Sequence, residues 1–88
     1  MTQPTVTVYS KPICPQCNAT YRKLEKEGIE YTVIDMTTDA ESFALVKDEL
    51  GYAQAPVVIV QHDDDTVTHW SGFQPARIEN INTTKENS

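Results

Sequence analysis

A chain of 88 residues, of which 39% are apolar, is long enough for one small domain with a single hydrophobic core. Its formal net charge of −6 would repel the phosphates of nucleic acids and of anionic lipid surfaces, so we expect neither as a partner. The longest strongly apolar run, APVVIV, is too short to span a bilayer, and the first ten residues lack the pattern of a secretion signal. The composition therefore predicts a cytoplasmic protein that does not bind membranes.

The apolar pattern predicts seven elements in chain order. Alternating or continuous apolar runs indicate four strands, at residues 5–9, 29–34, 55–60 and 66–70. Apolar residues at helical spacing indicate three helices, at residues 15–28, 42–51 and 75–81. The second helix follows TDAE, which matches a capping box from Thr38 to Glu41. The polar turn QHDDD joins the last two strands into a hairpin.

The order β-α-β-α-β-β-α predicts an α/β fold. Its first strand–helix–strand unit implies parallel strands with a right-handed crossover, and the hairpin adds an antiparallel edge. We therefore expect a four-stranded mixed sheet flanked by three helices. Residues 1–82 should form the single domain, and residues 83–88 should form a flexible tail because they have nothing to bury.

The only two cysteines, Cys14 and Cys17, lie where the first strand has ended and the first helix begins. Functional sites of open α/β sheets gather at the carboxyl ends of parallel strands. A helix N-terminus supplies N–H groups and a partial positive charge that favour a thiolate, and Lys11 can add a positive charge nearby. Helical residues three apart share a face, with Cα atoms about 5–6 Å apart, which suits a disulfide. The sequence predicts a redox pair in which Cys14 is the nucleophile and Cys17 resolves the mixed disulfide.

This chemistry needs two thiols and no cofactor. Pro15 costs little in a first helical turn and stiffens it, so it should influence how easily the disulfide is reduced. The alternatives for the pair are half of a zinc site or two inert buried thiols. A structural zinc ion normally takes four ligands, and the only histidines, His62 and His69, lie across the predicted hairpin rather than at the usual spacing. We therefore expect no metal site.

Three stretches of the chain resemble the NrdH-redoxins, which are glutaredoxin-like proteins of thioredoxin fold that behave like thioredoxins. The resemblance runs from TVTVYSKPICPQCNAT through GYAQAPVVIV to HWSGFQP and so covers nearly the whole length of the chain. The pattern C-x-Q-C followed by Asn-Ala-Thr and the later Trp-Ser-Gly-Phe-x-Pro are distinctive for that family. The resemblance implies an electron donor that serves the large subunit of class Ib ribonucleotide reductase and is itself reduced by thioredoxin reductase. We expect the protein to act as a monomer.

The resemblance also implies which residues bind partners. Pro56 matches the family's cis-proline, which would turn the backbone of Ala55 toward an incoming peptide; the alternative is a trans proline that begins a buried strand. The ring of Trp70 suits either the core or a partner interface, and the family favours a structural network beside the cysteines. The full set of predicted binding residues is Lys11, Pro15, Gln16, Ala55, Pro56, Trp70, Ser71, Gly72 and Phe73.

The sequence departs from the commonest family pattern at three positions. Gln74 stands in place of the usual arginine and Ala76 in place of the usual acid, which removes a possible ion pair. Pro15 replaces a hydrophobic residue and resembles the Cys-Pro-x-Cys of glutaredoxins. A glutathione-dependent glutaredoxin is thus one alternative, although QAP and WSGF stand where such proteins carry the Thr-Val-Pro and Gly-Gly that bind glutathione. A non-catalytic binding module is the other alternative.

Overall fold

The computed structural model describes residues 4–52, 54–62 and 64–86. Its strands are β1 (Thr5–Ser10), β2 (Thr32–Asp35), β3 (Val57–Gln61) and β4 (Val67–Ser71). Its helices are α1 (Pro15–Lys26), α2 (Ala40–Ala44), which continues as a π-helical turn (Leu45–Glu49), and α3 (Pro75–Glu86). The predicted order β-α-β-α-β-β-α is confirmed. Within the described residues, no helix combines the length and the apolar character needed to cross a membrane.

The four strands form one mixed sheet in the order β2-β1-β3-β4. β1 pairs in parallel with β2 and antiparallel with β3, and β3 pairs antiparallel with β4. The predicted parallel unit and antiparallel hairpin are therefore both present. The two central strands carry Val8 opposite Val58, and Val58 lies opposite Trp70 on β4. β-branched side chains pack well on such a pleated surface, which explains why these valines form the middle of the sheet.

The main core lies between one face of this sheet and helices α1 and α3. Strand positions of like parity, such as Val6 and Val8, point to the same face, where Leu24 of α1 and Ile78 of α3 cover them. Leu24 and Ile78 are fully buried, and burying a side chain of this size stabilises the fold by about 1.5–3 kcal/mol. Among the residues that the structure describes, the buried members of the main core are Val6, Val8, Leu24, Ile29, Val58, Val60, Trp70, Ile78 and Ile81.

A salt bridge joins the same two helices at the surface. The Lys23 ammonium lies 3.1 Å from a Glu27 carboxylate oxygen and 2.8 Å from one of Glu79 on α3. The hydrogen bond and the positive charge of Lys23 lower the pKa of the Glu79 carboxyl below its ordinary value. Polar contacts at the rim thus support the α1–α3 pair that the apolar core holds together.

The predicted strand at 29–34 begins too early. β2 starts only at Thr32, because Gly28 and Ile29 end α1 in a Schellman motif. The Gly28 N–H donates to the Glu25 carbonyl, the Ile29 N–H donates to the Leu24 carbonyl, and Gly28 has a φ of +72°. Ile29 is consequently buried in the main core as the hydrophobic residue that follows the helix end.

The N-cap of α2 is Asp39, one residue later than predicted. Its carboxylate accepts hydrogen bonds from the N–H groups of Glu41 at 3.1 Å and Ser42 at 3.3 Å. Thr38 instead donates its hydroxyl to the Asp35 carbonyl at 3.1 Å. Since α2 begins at Ala40, Asp39 is the residue directly before the helix, and its extended backbone lets its side chain reach the first free N–H groups.

Two predictions fall partly outside the described residues. The helical backbone of α3 continues to Glu86 and so includes residues 83–86 of the predicted tail, whereas residues 87 and 88 lie outside the described residues. In the predicted turn QHDDD, residue 63 also lies outside them. Mobility of the tail stays a prediction.

Candidate active site

The two cysteines lie at the first turn of α1 and form a disulfide with a Cα–Cα separation of 5.2 Å. Cys14 is the N-cap residue, with extended backbone, and Pro15 occupies the first helical position. The backbone N–H of Cys17 donates to the Cys14 sulfur at 3.2 Å. An N–H group at a helix start favours a thiolate in the reduced protein, because it is a donor that would otherwise be unsatisfied. The geometry therefore matches the predicted redox pair.

The two sulfurs differ in access. Cys14 is 7% exposed, whereas Cys17 is 1% exposed and faces the protein interior. Both pack with Ala55, and the partly buried Tyr21 and Met36 contact this group, which we call the cysteine cluster. A partner disulfide can reach Cys14 from solvent more readily than Cys17. The arrangement suits Cys14 as nucleophile and Cys17 as the thiol that acts second.

Residues 54–56 run beside the cysteines. The Ala55–Pro56 peptide bond is cis, as the family resemblance implies, and not trans. Ala55 and Pro56 are both buried, and Ala55 contacts the cysteine cluster. The Pro56 carbonyl accepts a hydrogen bond from the Gly72 N–H at 2.8 Å. The hydrogen bonding of an incoming peptide to Ala55 stays a prediction.

Gln16, between the two cysteines, binds the loop that follows β4. Its side-chain oxygen Oε1 accepts a hydrogen bond from the Phe73 N–H at 3.1 Å. Gly72 has a φ of +80°, and a Cβ on it would lie 3.3 Å from the same Gln16 oxygen. The predicted binding residues Gln16, Gly72 and Phe73 thus meet beside the cysteines, although Gln16 and Phe73 are 57 positions apart in sequence. No local sequence pattern reveals that pairing.

Trp70 lies in the main core, where it is 4% exposed. The sequence left open whether the Trp70 ring lies in the core or at a partner interface, and the structure places it in the core. The physical reason is its place on β4, opposite Val58, where it packs beneath α3 while the Arg77 guanidinium lies 5.8 Å from its ring centroid. Its indole Nε1 is buried and has no hydrogen-bond partner among the described residues.

Gln74 stands where the family usually has an arginine, and it makes hydrogen bonds in place of the ion pair that the arginine could form. Its Nε2 donates to the Ser71 carbonyl at 2.9 Å, and its Oε1 accepts from the Arg77 Nε at 3.0 Å. The glutamine therefore connects the end of β4 to α3 with neutral and charged hydrogen bonds. Arg77, which the sequence did not single out, is part of this network because helical spacing places it one turn after Gln74.

A groove of about 560 Å³ adjoins the cysteine cluster on the side of α2. Met36 belongs to both, since it lines the groove and contacts the cysteine cluster. Two cations line it, Lys11 from the cysteine turn and Lys47 from the π-helical turn, and Lys47 lies 5.6 Å from the centroid of the half-exposed Phe43 ring. The remaining lining residues are Thr37, Val46, Tyr52 and Gln54. Of the whole lining, the sequence identified only Lys11.

Ile13, directly before Cys14, is 96% exposed. Its φ of +54° places a β-branched residue in the left-handed region, which costs about 1–2 kcal/mol. Neither property follows from any pattern in the sequence. Backbone strain of this kind concentrates at functional sites, where the surrounding structure maintains it.

The two histidines take part in the hairpin and its neighbours. His69 Nδ1 lies 2.9 Å from the Tyr52 hydroxyl, and His62 Nε2 lies 3.0 Å from the Thr68 hydroxyl. In the described part of the chain, no three or more His, Cys, Asp or Glu residues come together as potential metal ligands.

The sequence of this chain is similar to a family model and to known proteins. Residues 6–64 match the family model of glutaredoxin. The glutaredoxin-like protein NrdH of Escherichia coli is 32% identical over 76 residues, which cover 86% of this chain and 86% of that protein. The gene 56 protein of Mycobacterium phage D29 is 30% identical over 76 residues, which cover 86% of this chain and 80% of that protein.

Solved structures agree with the sequence matches. The NrdH-redoxin of Escherichia coli, a glutaredoxin-like protein with a thioredoxin-like activity profile, superposes with a TM-score of 0.76 at 32% identity. The match covers 88% of this chain and 93% of that structure. The thioredoxin of Trypanosoma brucei brucei has a TM-score of 0.69 at 16% identity, covering 98% of this chain and 77% of that one, and shows the common fold alone.

Proposed function

Because the chain belongs to the NrdH-redoxins of the glutaredoxin family, which are thiol–disulfide oxidoreductases, we propose that it carries electrons from thioredoxin reductase to a class Ib ribonucleotide reductase. The cytoplasm is the compartment that we propose, since its reducing conditions maintain the free dithiol. The observation that carries the proposal is the pair Cys14–Cys17 at the start of α1, with the Cys17 N–H donating to the Cys14 sulfur.

The proposed reaction is a two-electron exchange of thiols. The Cys14 thiolate attacks one sulfur of a partner disulfide, and the other partner sulfur leaves as a thiolate and takes up a proton. The Cys17 thiolate then attacks the Cys14 sulfur and releases the second partner thiol. The partner disulfide is thereby reduced to a dithiol, and the Cys14–Cys17 disulfide forms. Since Cα atoms 5.2 Å apart already suit that bond, the backbone needs little movement.

The N–H groups beside the cysteines favour protein partners over glutathione. The Gly72 N–H donates to the Pro56 carbonyl and the Phe73 N–H donates to Gln16, so internal acceptors already occupy both donors. Glutathione-dependent members use a Gly-Gly turn at this place to bind carboxylates. The related Escherichia coli protein has a thioredoxin-like activity profile, which supports the same assignment.

One observation favours the glutathione alternative. Lys11 and Lys47 line the groove beside the cysteine cluster, and two ammonium groups suit the two carboxylates of glutathione. The chain as a whole carries a net charge of −6, so this is a local concentration of positive charge. The two electron sources must therefore be compared directly.

The deciding experiment supplies the protein with electrons from two sources. One reaction contains NADPH and thioredoxin reductase, the other NADPH, glutathione and glutathione reductase, and both contain a purified class Ib ribonucleotide reductase. We expect deoxyribonucleotide formation only with thioredoxin reductase, and none from the Cys14→Ser variant. Efficient turnover with glutathione would replace the proposal by the glutaredoxin alternative.

A parallel assay with insulin separates the general activity from the specific client. If the protein reduces insulin but supplies no electrons to ribonucleotide reductase, the oxidoreductase activity stands and the proposed client is contradicted. An absence of reduction with either electron source would contradict the proposed electron path as a whole.

A further inference from the structure

Ile13 stands apart from every other large apolar side chain in the described part of the chain. It is 96% exposed, whereas the next most exposed, Val67 on β4, is 54% exposed. Its left-handed φ of +54° is unfavourable for a β-branched residue as well. A single residue therefore combines an apolar side chain in water with a strained backbone, and neither feature contributes to the stability of the isolated domain.

The position of Ile13 makes it part of any interface with a protein disulfide. A partner sulfur must come within bonding distance of the Cys14 sulfur, yet Cys14 is only 7% exposed. A partner surface that reaches so recessed a sulfur meets the residues around it, and Ile13 is bonded directly to Cys14. A small disulfide has no surface beyond its own few atoms and can react without touching Ile13.

A second exposed apolar residue adjoins the same turn. Phe73 is 37% exposed, and its N–H is bonded to Gln16, which lies between the two cysteines. Exposed apolar side chains grouped beside a reactive centre are typical of protein-interaction surfaces.

We propose that Ile13 is the apolar anchor through which this protein docks its protein partners. The side chain inserts into an apolar depression beside the partner's reactive disulfide or dithiol, and the strained turn holds it in the outward orientation. The partners are thus proteins whose redox-active cysteines border an apolar pocket, a property that small disulfides lack. This inference rests on the proposed function and specifies how Cys14 selects among disulfides.

The test compares Ile13→Asn with the parent protein. Asparagine tolerates the left-handed region, so the variant should fold with an unchanged or higher melting temperature. With NADPH and thioredoxin reductase, we expect the KM for the redoxin to rise about tenfold, the loss expected when an apolar anchor of this size is removed. Reduction of the oxidised variant by dithiothreitol should proceed at the parent rate, because that small dithiol does not contact the anchor.

Two further variants control for polarity and shape. Val67→Asn removes an exposed apolar side chain far along the sheet edge and should leave the KM unchanged. Ile13→Leu keeps a large apolar side chain and should stay within about twofold of the parent. An unchanged KM for Ile13→Asn, or an equally large fall in its rate of reduction by dithiothreitol, would contradict the proposed role of Ile13. If thioredoxin reductase does not reduce the parent protein, it is the proposed electron path that fails, which distinguishes the two failures.

Discussion

Among the described residues, nine buried apolar side chains form the main core, and they come from β1, β3, β4, α1, α3 and the residue Ile29 that follows α1. The cysteine cluster consists of Cys14, Cys17 and Ala55 with two partly buried neighbours. Burial of apolar area stabilises the main core, and this contribution has no direction. Directed hydrogen bonds fix the surroundings of the cysteine cluster, including those from the Cys17 N–H to Cys14 and from the Phe73 N–H to Gln16. Stability and reactivity therefore depend on different residues.

The largest expected effect comes from replacing each cysteine with serine, because this change should remove the reactivity of the cysteine cluster and leave the main core intact. Cys14→Ser should abolish disulfide reduction, because a serine hydroxyl does not form the thiolate nucleophile. Cys17→Ser should retain the first attack and accumulate mixed disulfides with the partner, visible as added mass under non-reducing conditions. Both variants should keep the circular dichroism spectrum of the parent. A Cys17→Ser variant that turns over repeatedly without glutathione would contradict the resolving role.

The converse change removes part of the main core. Leu24→Ala should lower the free energy of unfolding by about 2–5 kcal/mol, because it removes buried methyl groups and leaves a cavity. The reduction rate per folded molecule should stay at the parent value. Val33→Ala on the half-exposed face of β2 is the matched control, with a change within about 0.5 kcal/mol. Urea unfolding and insulin reduction, measured on the same samples, check both expectations. A parallel loss of rate and stability would show that the two regions are coupled.

A pair of glycines tests the contact between the cysteine turn and the loop after β4. Gly72 and Gly28 have φ values of +80° and +72°, so alanine should cost about 1–2 kcal/mol of backbone strain at each. An added Cβ meets the Gln16 oxygen only at position 72, since nothing lies within 4 Å of the site at Gly28. Gly72→Ala should therefore lower the reduction rate about fivefold, the equivalent of one weakened hydrogen bond, whereas Gly28→Ala should not. Equal rates for the two variants would exclude a role for this contact.

The smallest effect concerns Tyr31, which stacks on Tyr21, the aromatic residue that packs against both clusters. Burial, together with a hydrogen bond to Glu25, raises the pKa of Tyr31 to about 12. Between pH 10 and about 12 the unfolded chain releases this proton while the folded chain retains it, so stability falls as the pH rises. Tyr31→Phe should flatten this fall. Urea midpoints at pH 9 and 11 provide the measurement.

The Glu25→Gln variant serves as the control for this titration. It removes the negative charge that opposes tyrosinate, so it should shift the pKa of Tyr31 back toward its ordinary value. An unchanged absorbance titration near 295 nm in Glu25→Gln would show that burial alone raises the pKa. A Tyr31→Phe variant with the parent's alkaline slope would contradict the assignment to Tyr31.

Local chemistry determined what the sequence could predict about the fold. The element order, the helix that starts at the cysteines and the glycine that ends it all follow from neighbouring residues, and the structure contains them. The start of β2 was wrong because Ile29 satisfies an apolar pattern whether it continues a strand or follows a helix end. The cap of α2 was wrong by one residue because both Thr38 and Asp39 are good N-cap residues.

The candidate active site likewise has local features that the sequence predicted and features between distant segments that it did not. The cysteine pair is local and was predictable from its spacing and position. The bond from Phe73 to Gln16, the packing of Trp70 and the groove between Lys11 and Lys47 depend on chain segments far apart in sequence, which one sequence cannot pair. Ile13 carried no sequence signal, because its exposure and its backbone angle depend on how the turn between β1 and α1 is built.

Competitive alkylation of the reduced protein tests most directly whether Cys14 is the more reactive of the two sulfurs. Substoichiometric iodoacetamide at neutral pH, followed by peptide mapping, reports which sulfur reacts first. We expect the label almost entirely on Cys14, since its sulfur accepts the helix N–H and is the more exposed of the two, while Cys17 stays protected. Equal labelling of the two cysteines, or faster labelling of Cys17, would contradict this expectation.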